Sequence, residues 1–196
     1  MLLDYDPLRP LYIFGTGNPA HELRHWLISD EAVSQEPELI DQDQFQALPY
    51  GAQCIIGFAN PQYRKRLVQS PLFAARSWVG FVHARSCVEN IKGLGRGVIV
   101  QPMACVGFGV TVGNLGWITT MSHVGHGTIV GSNVVISPGT MIMGQCQIGS
   151  SVWFGASSVV ADKITICDDC HFLMTSVVTK NISAAGQYYG NRKING

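Results

Sequence analysis

The stretch Ile118–Ile136, ITTMSHVGHGTIVGSNVVI, places an aliphatic residue at every sixth position: Ile118, Val124, Val130 and Ile136. Helices repeat near 3.6 residues and strands at two, so this period belongs to neither as an isolated element. Glycine at 125, 127 and 131 weighs further against a stable helix. Extended both ways, the step of six runs from Val88 to Val178, and all sixteen positions are apolar. Small or β-branched residues stand two positions earlier, as at Val98, Ala104, Val110, Ser122, Thr128 and Val134. Glycine often follows directly, as at Gly107, Gly113, Gly125, Gly131 and Gly149, where it is expected to allow tight corners through positive φ.

This pattern is the hexapeptide signature of a parallel β-helix. Three hexads close one triangular coil, so residues eighteen apart stack about 4.8 Å from each other, giving about five coils. Coils of this type are left-handed, an exception to the usual right-handed crossover. A β-sandwich would instead need alternation by two and a turn every 8–12 residues.

The front of the chain reads differently. Leu11–Phe14 is a strand entering the glycine turn Gly15-Thr-Gly17, and His21–Leu27 a helix. Glu38–Asp41 and Cys54–Phe58 are further strands, and Asn60 caps a helix over Pro61–Val68 with proline at its first position. Trp78–Val82 leads into the coils. The βαβαβ order predicts a small Rossmann-like domain over 1–84, a left-handed β-helix over 85–182 and a tail over 183–196, an α/β plus all-β chain. Gly15-Thr-Gly17 lacks the third glycine of a dinucleotide fingerprint and reads equally as a plain strand-to-helix turn. Asp41, after the second strand, is placed to receive a ribose hydroxyl or to be a solvated turn acid.

Composition bounds the function. Thirteen basic residues balance thirteen acidic ones over 196 residues, so no net field favours nucleic acid. The N-terminus MLLDYDPLRP lacks the apolar core of a signal peptide, and no apolar run reaches the length of a membrane span. Six irregularly spaced cysteines read as reduced cytoplasmic thiols.

Stacking then places the histidines. His123 precedes an inward valine and His126 follows it by two, so both point outward near a corner. The column Phe108, His126, Gly144, Asp162 sets a residue without a side chain next to His126, leaving a slot beside the imidazole. One outward stripe reads Ile99, Trp117, Val135, Trp153, His171, and another Cys105, His123, Met141, Val159. The third, Thr111, Ile129, Gln147, Thr165, is more polar. Two apolar faces and one wetter face predict a homotrimer with His126 near a cleft between subunits. An imidazole there suits a general base, or one that only caps a corner.

Gly15-Thr-Gly17, Gly57-Phe-Ala-Asn-Pro-Gln-Tyr-Arg64, the coils, and His126-Gly-Thr-Ile-Val-Gly131 in register together resemble the bacterial sugar acyltransferases. These are the sialic acid O-acetyltransferases and UDP-4-amino-sugar N-acetyltransferases of polysaccharide biosynthesis. The resemblance covers nearly the whole chain. It implies a trimeric β-helix using acetyl-CoA, no metal, and a head that binds a nucleotide sugar, with Gly15, Gly17, Asn18, Asp41, Thr119 and His123 as candidate substrate contacts. It further implies His126 as the base. Gly144, Gly155 and Ala156 match positions where the family's backbone meets the thioester and pantetheine arm, so that an N–H there would polarise the thioester carbonyl. Four departures stand out: Gly127 replaces an acid often found after the histidine, Val135 replaces a second histidine of some members, Asn18-Pro-Ala-His21 replaces a glycine-histidine turn, and the tail Tyr188-Tyr-Gly-Asn-Arg-Lys193 lacks the family's Pro-Ala.

Competing motifs carry less. Cys167-Asp-Asp-Cys170-His171 matches a haem-attachment string, yet the six-residue register runs through it. His21 and His25 lie one helical turn apart without further nearby ligands. Cys105 and Cys146 offer a nucleophilic route. A γ-carbonic-anhydrase-like zinc trimer needs three imidazoles at wider spacing. A non-catalytic trimeric binding module is the other alternative.

Overall fold

A computed structural model describes residues 1–195. From Val88 onward the chain winds as a triangular solenoid whose rungs pair in parallel eighteen residues apart, as in His123 with Cys105 and Met141. The sixfold aliphatics form the axial core: Val106, Ile118, Val124, Ile142, Phe154 and Phe172 are all fully buried. Burying each such side chain is worth about 1.5–3 kcal/mol. The core ends in stacked rings, Phe154 on Phe172 at 5.1 Å and Phe172 on Tyr188 at 5.5 Å.

Three faces surround this core. A six-stranded face carries Cys105–Val106, His123–Val124, Met141–Ile142 and Val159–Val160, and we call it the His123 face. A four-stranded face carries Thr111–Val112, Ile129–Val130, Gln147–Ile148 and Thr165–Ile166, with Thr111, Ile129, Gln147 and Thr165 all exposed. The third, nine-stranded face includes Ile99–Val100, Trp117–Ile118, Val135–Ile136 and Trp153–Phe154. The expected tail adds to this face: Gly186–Tyr189 pairs with the preceding rung and with Arg192–Asn195. Gly196, part of that tail, lies outside the described residues.

Positive φ does not fall on the glycines that follow the aliphatics. It falls two residues later, at every sixth position from Gly97 to Thr175, with φ between 56° and 69°. Ten of these fourteen corners are not glycine. The glycines directly after the aliphatics are there for space instead: a Cβ on Gly125 would lie 2.6 Å from the Gly144 nitrogen, and one on Gly131 2.6 Å from the Gly149 carbonyl carbon.

The head contains β2 (Leu11–Phe14), α1 (Asn18–Ser29), β3 (Glu38–Ile40), α2 (Gln42–Ala47), β4 (Gln53–Ile56), α3 (Pro61–Gln69), α4 (Pro71–Ala74) and β5 (Ser77–Trp78); β1 (Leu2–Leu3) instead pairs with β6 (Gly80–Val82) of the solenoid. The head sheet is parallel, in the order β3-β2-β4-β5. Helix α1 begins at Asn18, earlier than the His21 expected, because Gly17 caps it and Pro19 suits its first turn. Ahead of Val88, β6 already pairs in parallel with Ile99–Val100 of the solenoid.

The tryptophan stripe corrects one expectation. Ile99, Trp117 and Val135 are each 1% exposed, packed under Leu23, Leu27 and Ile13 of the head. That apolar face is therefore covered by the same chain, and of the two apolar faces the His123 face is the one left open.

Candidate active site

His126 stands at the corner between the His123 face and the four-stranded face. The rung ladder fixes its backbone: Gly127 N–H donates to Phe108 O at 2.8 Å, and His126 O accepts from Gln145 N–H at 2.8 Å. The side chain is exposed, and among the described residues its ring has no hydrogen-bonding partner. A Cβ on Gly144 would sit 2.6 Å from His126 Nε2 and 2.8 Å from Cε1. The imidazole thus lies across the glycine, occupying the slot that the sequence placed beside it. Gly127, next to His126, has φ +65° and forms a left-handed corner.

The three backbone candidates separate. Gly155 N–H donates to Phe172 O at 2.8 Å within the ladder, so it is not free to donate elsewhere. The N–H groups of Gly144 and Ala156 have no acceptor among the described residues, because each occupies the outward step of a corner. Gly144 shares the His126 corner. Ala156 follows Phe154 and so lies at the opposite edge of the His123 face.

His123 is half-buried in the middle of that face, between Cys105 and Met141. Thr119, a candidate substrate contact, is 7% exposed and donates its hydroxyl to Ile136 O at 2.7 Å.

A cleft of about 450 Å³ opens in the head between Gly15, Thr16 and Gly17 on one side and Gly57, Phe58, Asn60 and Gln62 on the other, with Tyr63 and Arg66 further along α3. It lies beyond the carboxyl ends of β2 and β4. Strand order reverses there, the place where open parallel sheets bind ligands. Gly15 has φ +134° and packs against Gly57, where a Cβ would meet the Gly57 oxygen at 3.2 Å. Gly57 is itself pressed on Ala20 and Ile13, each within 2.7 Å of a notional Cβ. Asn18 opens α1 beside this cleft, whereas Asp41 caps α2, its Oδ1 accepting from Asp43 N–H and Gln44 N–H. Gln62, Tyr63 and Arg66 escaped sequence reasoning. The signal present was the start of α3, capped by Asn60 with Pro61 at its first position, which aims its first turn at the switch point.

A second cavity of about 360 Å³ lies between α3 and the solenoid, bounded by Lys65, Ser151, Trp153 and His171. Trp153 and His171 stack at 4.4 Å, and burial lowers the His171 pKa. Cys167 and Cys170 Sγ lie 3.6 Å apart as free thiols, and burial first, then Cys167, pushes the Cys170 thiol up to about 12. Burial likewise raises the pKa of Cys105 and Cys146, away from the thiolate a nucleophile needs. No group of three metal-ligating side chains converges among the described residues, and no described helix is long and apolar enough to cross a membrane.

The architecture, a parallel-sheet head on a hexapeptide β-helix, is that of left-handed β-helix acetyltransferases of known structure. The acetyltransferase domain of PglB from Neisseria gonorrhoeae FA1090 superposes with a TM-score of 0.83 at 16% identity, over 95% of this chain and 98% of that one. A mutant of perosamine N-acetyltransferase from Caulobacter crescentus, in complex with CoA and GDP-perosamine, gives 0.79 at 18% over 95% and 97%. WeeI from Acinetobacter baumannii AYE gives 0.74 at 18% over 95% and 99%. At these identities the likeness establishes the fold. In sequence, the chain is 30% identical over 112 residues to a UDP-3-O-acylglucosamine N-acyltransferase from Caulobacter sp. (strain K31), a match that takes in 53% of this chain and spans 33% of that relative's length. No family model matches.

Proposed function

We propose that this protein is an acetyl-CoA-dependent acetyltransferase acting on the amine, or a hydroxyl, of a nucleotide-linked sugar, with His126 as general base. One observation carries the reading: an exposed imidazole seated across Gly144, whose own N–H is free, puts a base and an oxyanion donor in one corner. His126 Nε2 takes the proton from the attacking amine. The nitrogen bonds to the acetyl carbonyl carbon, the Gly144 N–H steadies the oxyanion, and the carbon–sulfur bond breaks to release CoA thiolate. The switch-point cleft of Gly15, Gly17 and Gly57 takes the nucleotide, with the first turns of α1 and α3 facing the phosphates. GDP-perosamine and CoA in one neighbour, and acetyl coenzyme A in another, support this choice of substrates.

The site is completed by further copies of the chain. Exposed Phe108, Met121, Met141, Met174 and Val177 lie on the His123 face or at its edges. His126 and Gly144 border one edge and Ala156 the other. Three copies packed by this face bring the His126 edge of one against the Ala156 edge of the next, so the CoA arm runs between subunits. This is a cytoplasmic homotrimer. The test is thiol release from acetyl-CoA with UDP- and GDP-linked amino sugars. Turnover by wild type that falls at least a hundredfold in His126→Ala supports the reading, and undiminished release by His126→Ala overturns it. No release across the panel favours instead the non-catalytic binding module, to which Gly127 in place of the acid also points.

A further inference from the structure

Arg64 closes the motif Gly57–Arg64, and the chemistry above gives it no part. It is 1% exposed, the most deeply buried charged side chain among the described residues. Among the described residues no carboxylate meets it. Nε donates to Asn133 Oδ1 at 3.1 Å, Nη1 to Phe58 O at 3.2 Å and Nη2 to Leu115 O, and the guanidinium lies 5.4 Å from the Trp117 ring centre. Burial lowers its pKa to about 9, which leaves it charged at neutral pH. A lone buried cation is costly, and it persists only where its donors are satisfied in a fixed geometry.

The acceptors share a pattern. Leu115, Asn133, Ser151 and Asp169 are successive members of one corner column, with φ of 60°, 57°, 56° and 58°. Arg64 takes the first two, Asn133 Nδ2 donates to Ser151 Oγ at 3.3 Å, and Lys65 Nζ donates to Asp169 Oδ1 at 2.6 Å. Two consecutive residues of α3 therefore grip a single edge of the solenoid. The other arm of the fork ends on Phe58 O, in the wall of the switch-point cleft. Lys65 and Asp169 are both more than two-fifths exposed, so their pair adds little, and the buried fork carries the connection.

We infer that Arg64 is a positioning residue that sets the Phe58–Asn60 wall of the nucleotide cleft from the solenoid corner at Leu115 and Asn133. The inference rests on the reading of that cleft as the nucleotide site. Its consequence is specific: Asn133, which lines no part of the cleft, controls nucleotide affinity.

Asn133→Gly is the cleanest probe, because glycine accepts the left-handed corner while removing the acceptor of Nε. Arg64→Lys keeps the charge and loses the fork. Calorimetry with GDP, UDP and CoA, together with amide exchange at Phe58 to Asn60, gives the readouts. Both variants are expected to bind the preferred nucleotide about tenfold more weakly, the effect of one charged hydrogen bond, to keep CoA affinity within about twofold, and to exchange faster at 58–60. Should Arg64→Lys fail to fold, Asn133→Gly carries the test. Unchanged nucleotide affinity and unchanged exchange at 58–60 overturn the inference, as does an equal loss for nucleotide and CoA. A wild type that binds neither GDP nor UDP refutes the nucleotide reading alone, and the exchange at 58–60 in Asn133→Gly then decides whether the brace exists.

Discussion

Gly144→Ala separates a catalytic corner from a structural one. Its φ lies outside the left-handed region, so alanine's backbone is unstrained, and the three atoms nearest the new methyl all belong to the imidazole: Nε2 at 2.6 Å, Cε1 at 2.8 Å and Cδ2 at 3.1 Å. Ordinary contact begins near 3.4 Å, so the ring must retreat by about 0.8 Å. His126 is exposed and has no hydrogen-bonding partner among the described residues, and it can rotate away at a cost of about 0.5–1.5 kcal/mol. A misplacement near 1 Å costs about a hundredfold in rate, about 2.7 kcal/mol of transition-state stabilisation. Gly125→Ala supplies the contrast, because its methyl would strike the Gly144 nitrogen and Met143 carbonyl carbon at 2.6 Å, backbone of the next coil that cannot rotate aside. Thiol release from acetyl-CoA and thermal melting, measured side by side, should show Gly144→Ala folded but about a hundredfold slow, and Gly125→Ala poorly folded. Turnover of Gly144→Ala within twofold of wild type would refute the idea that the imidazole works from its seat on the glycine.

Further expectations follow from the same geometry. His126→Asn should lower kcat by about 10²–10⁴ with the melting temperature nearly unchanged, since the ring is exposed and makes no hydrogen bond among the described residues; a fall in stability of similar weight would mark it as structural. Trp117→Ala, at 1% exposure between head and solenoid, should cost about 3–5 kcal/mol in denaturant unfolding, and a cost below about 1 kcal/mol would mean the two parts do not share a core. Val159→Arg on the His123 face should leave a folded monomer by light scattering, without acetyl transfer; a trimer that survives the charge would move the subunit interface elsewhere. His83 is 5% exposed and accepts from Arg85 N–H at Nδ1, and burial holds its pKa below 6.5 although Asp30 at 3.6 Å opposes the shift. The unfolded chain then binds the proton first, so this contribution is complete above 6.5 and is lost as the pH falls through the lowered value. Melting temperature should drop between pH 7 and 5, and less so in His83→Gln.

The period of six decided the solenoid by itself. It named the sixfold apolar positions and placed His126 next to Gly144, because stacking at eighteen residues is a local rule that repeats without reference to the rest of the chain. The strand-turn-helix start of the head was equally legible, and Asn60 caps α3 as its sequence position says. What the period could not assign is the fate of outward-facing groups. Trp117 and Met141 look alike in sequence, yet one lies under the head while the other stays open, a choice made by α1 and β2 arriving from about a hundred residues away. Gly155 and Gly144 differ by register alone: one N–H is spent in the ladder and the other is free, because they stand one residue after Phe154 and two after Ile142. Arg64 reads as one cation in the run Arg-Lys-Arg, and only contacts 51 and 69 residues distant bury it. Inward positions are fixed by repetition; outward ones depend on which distant surface reaches them first, and that is a property of the folded chain alone.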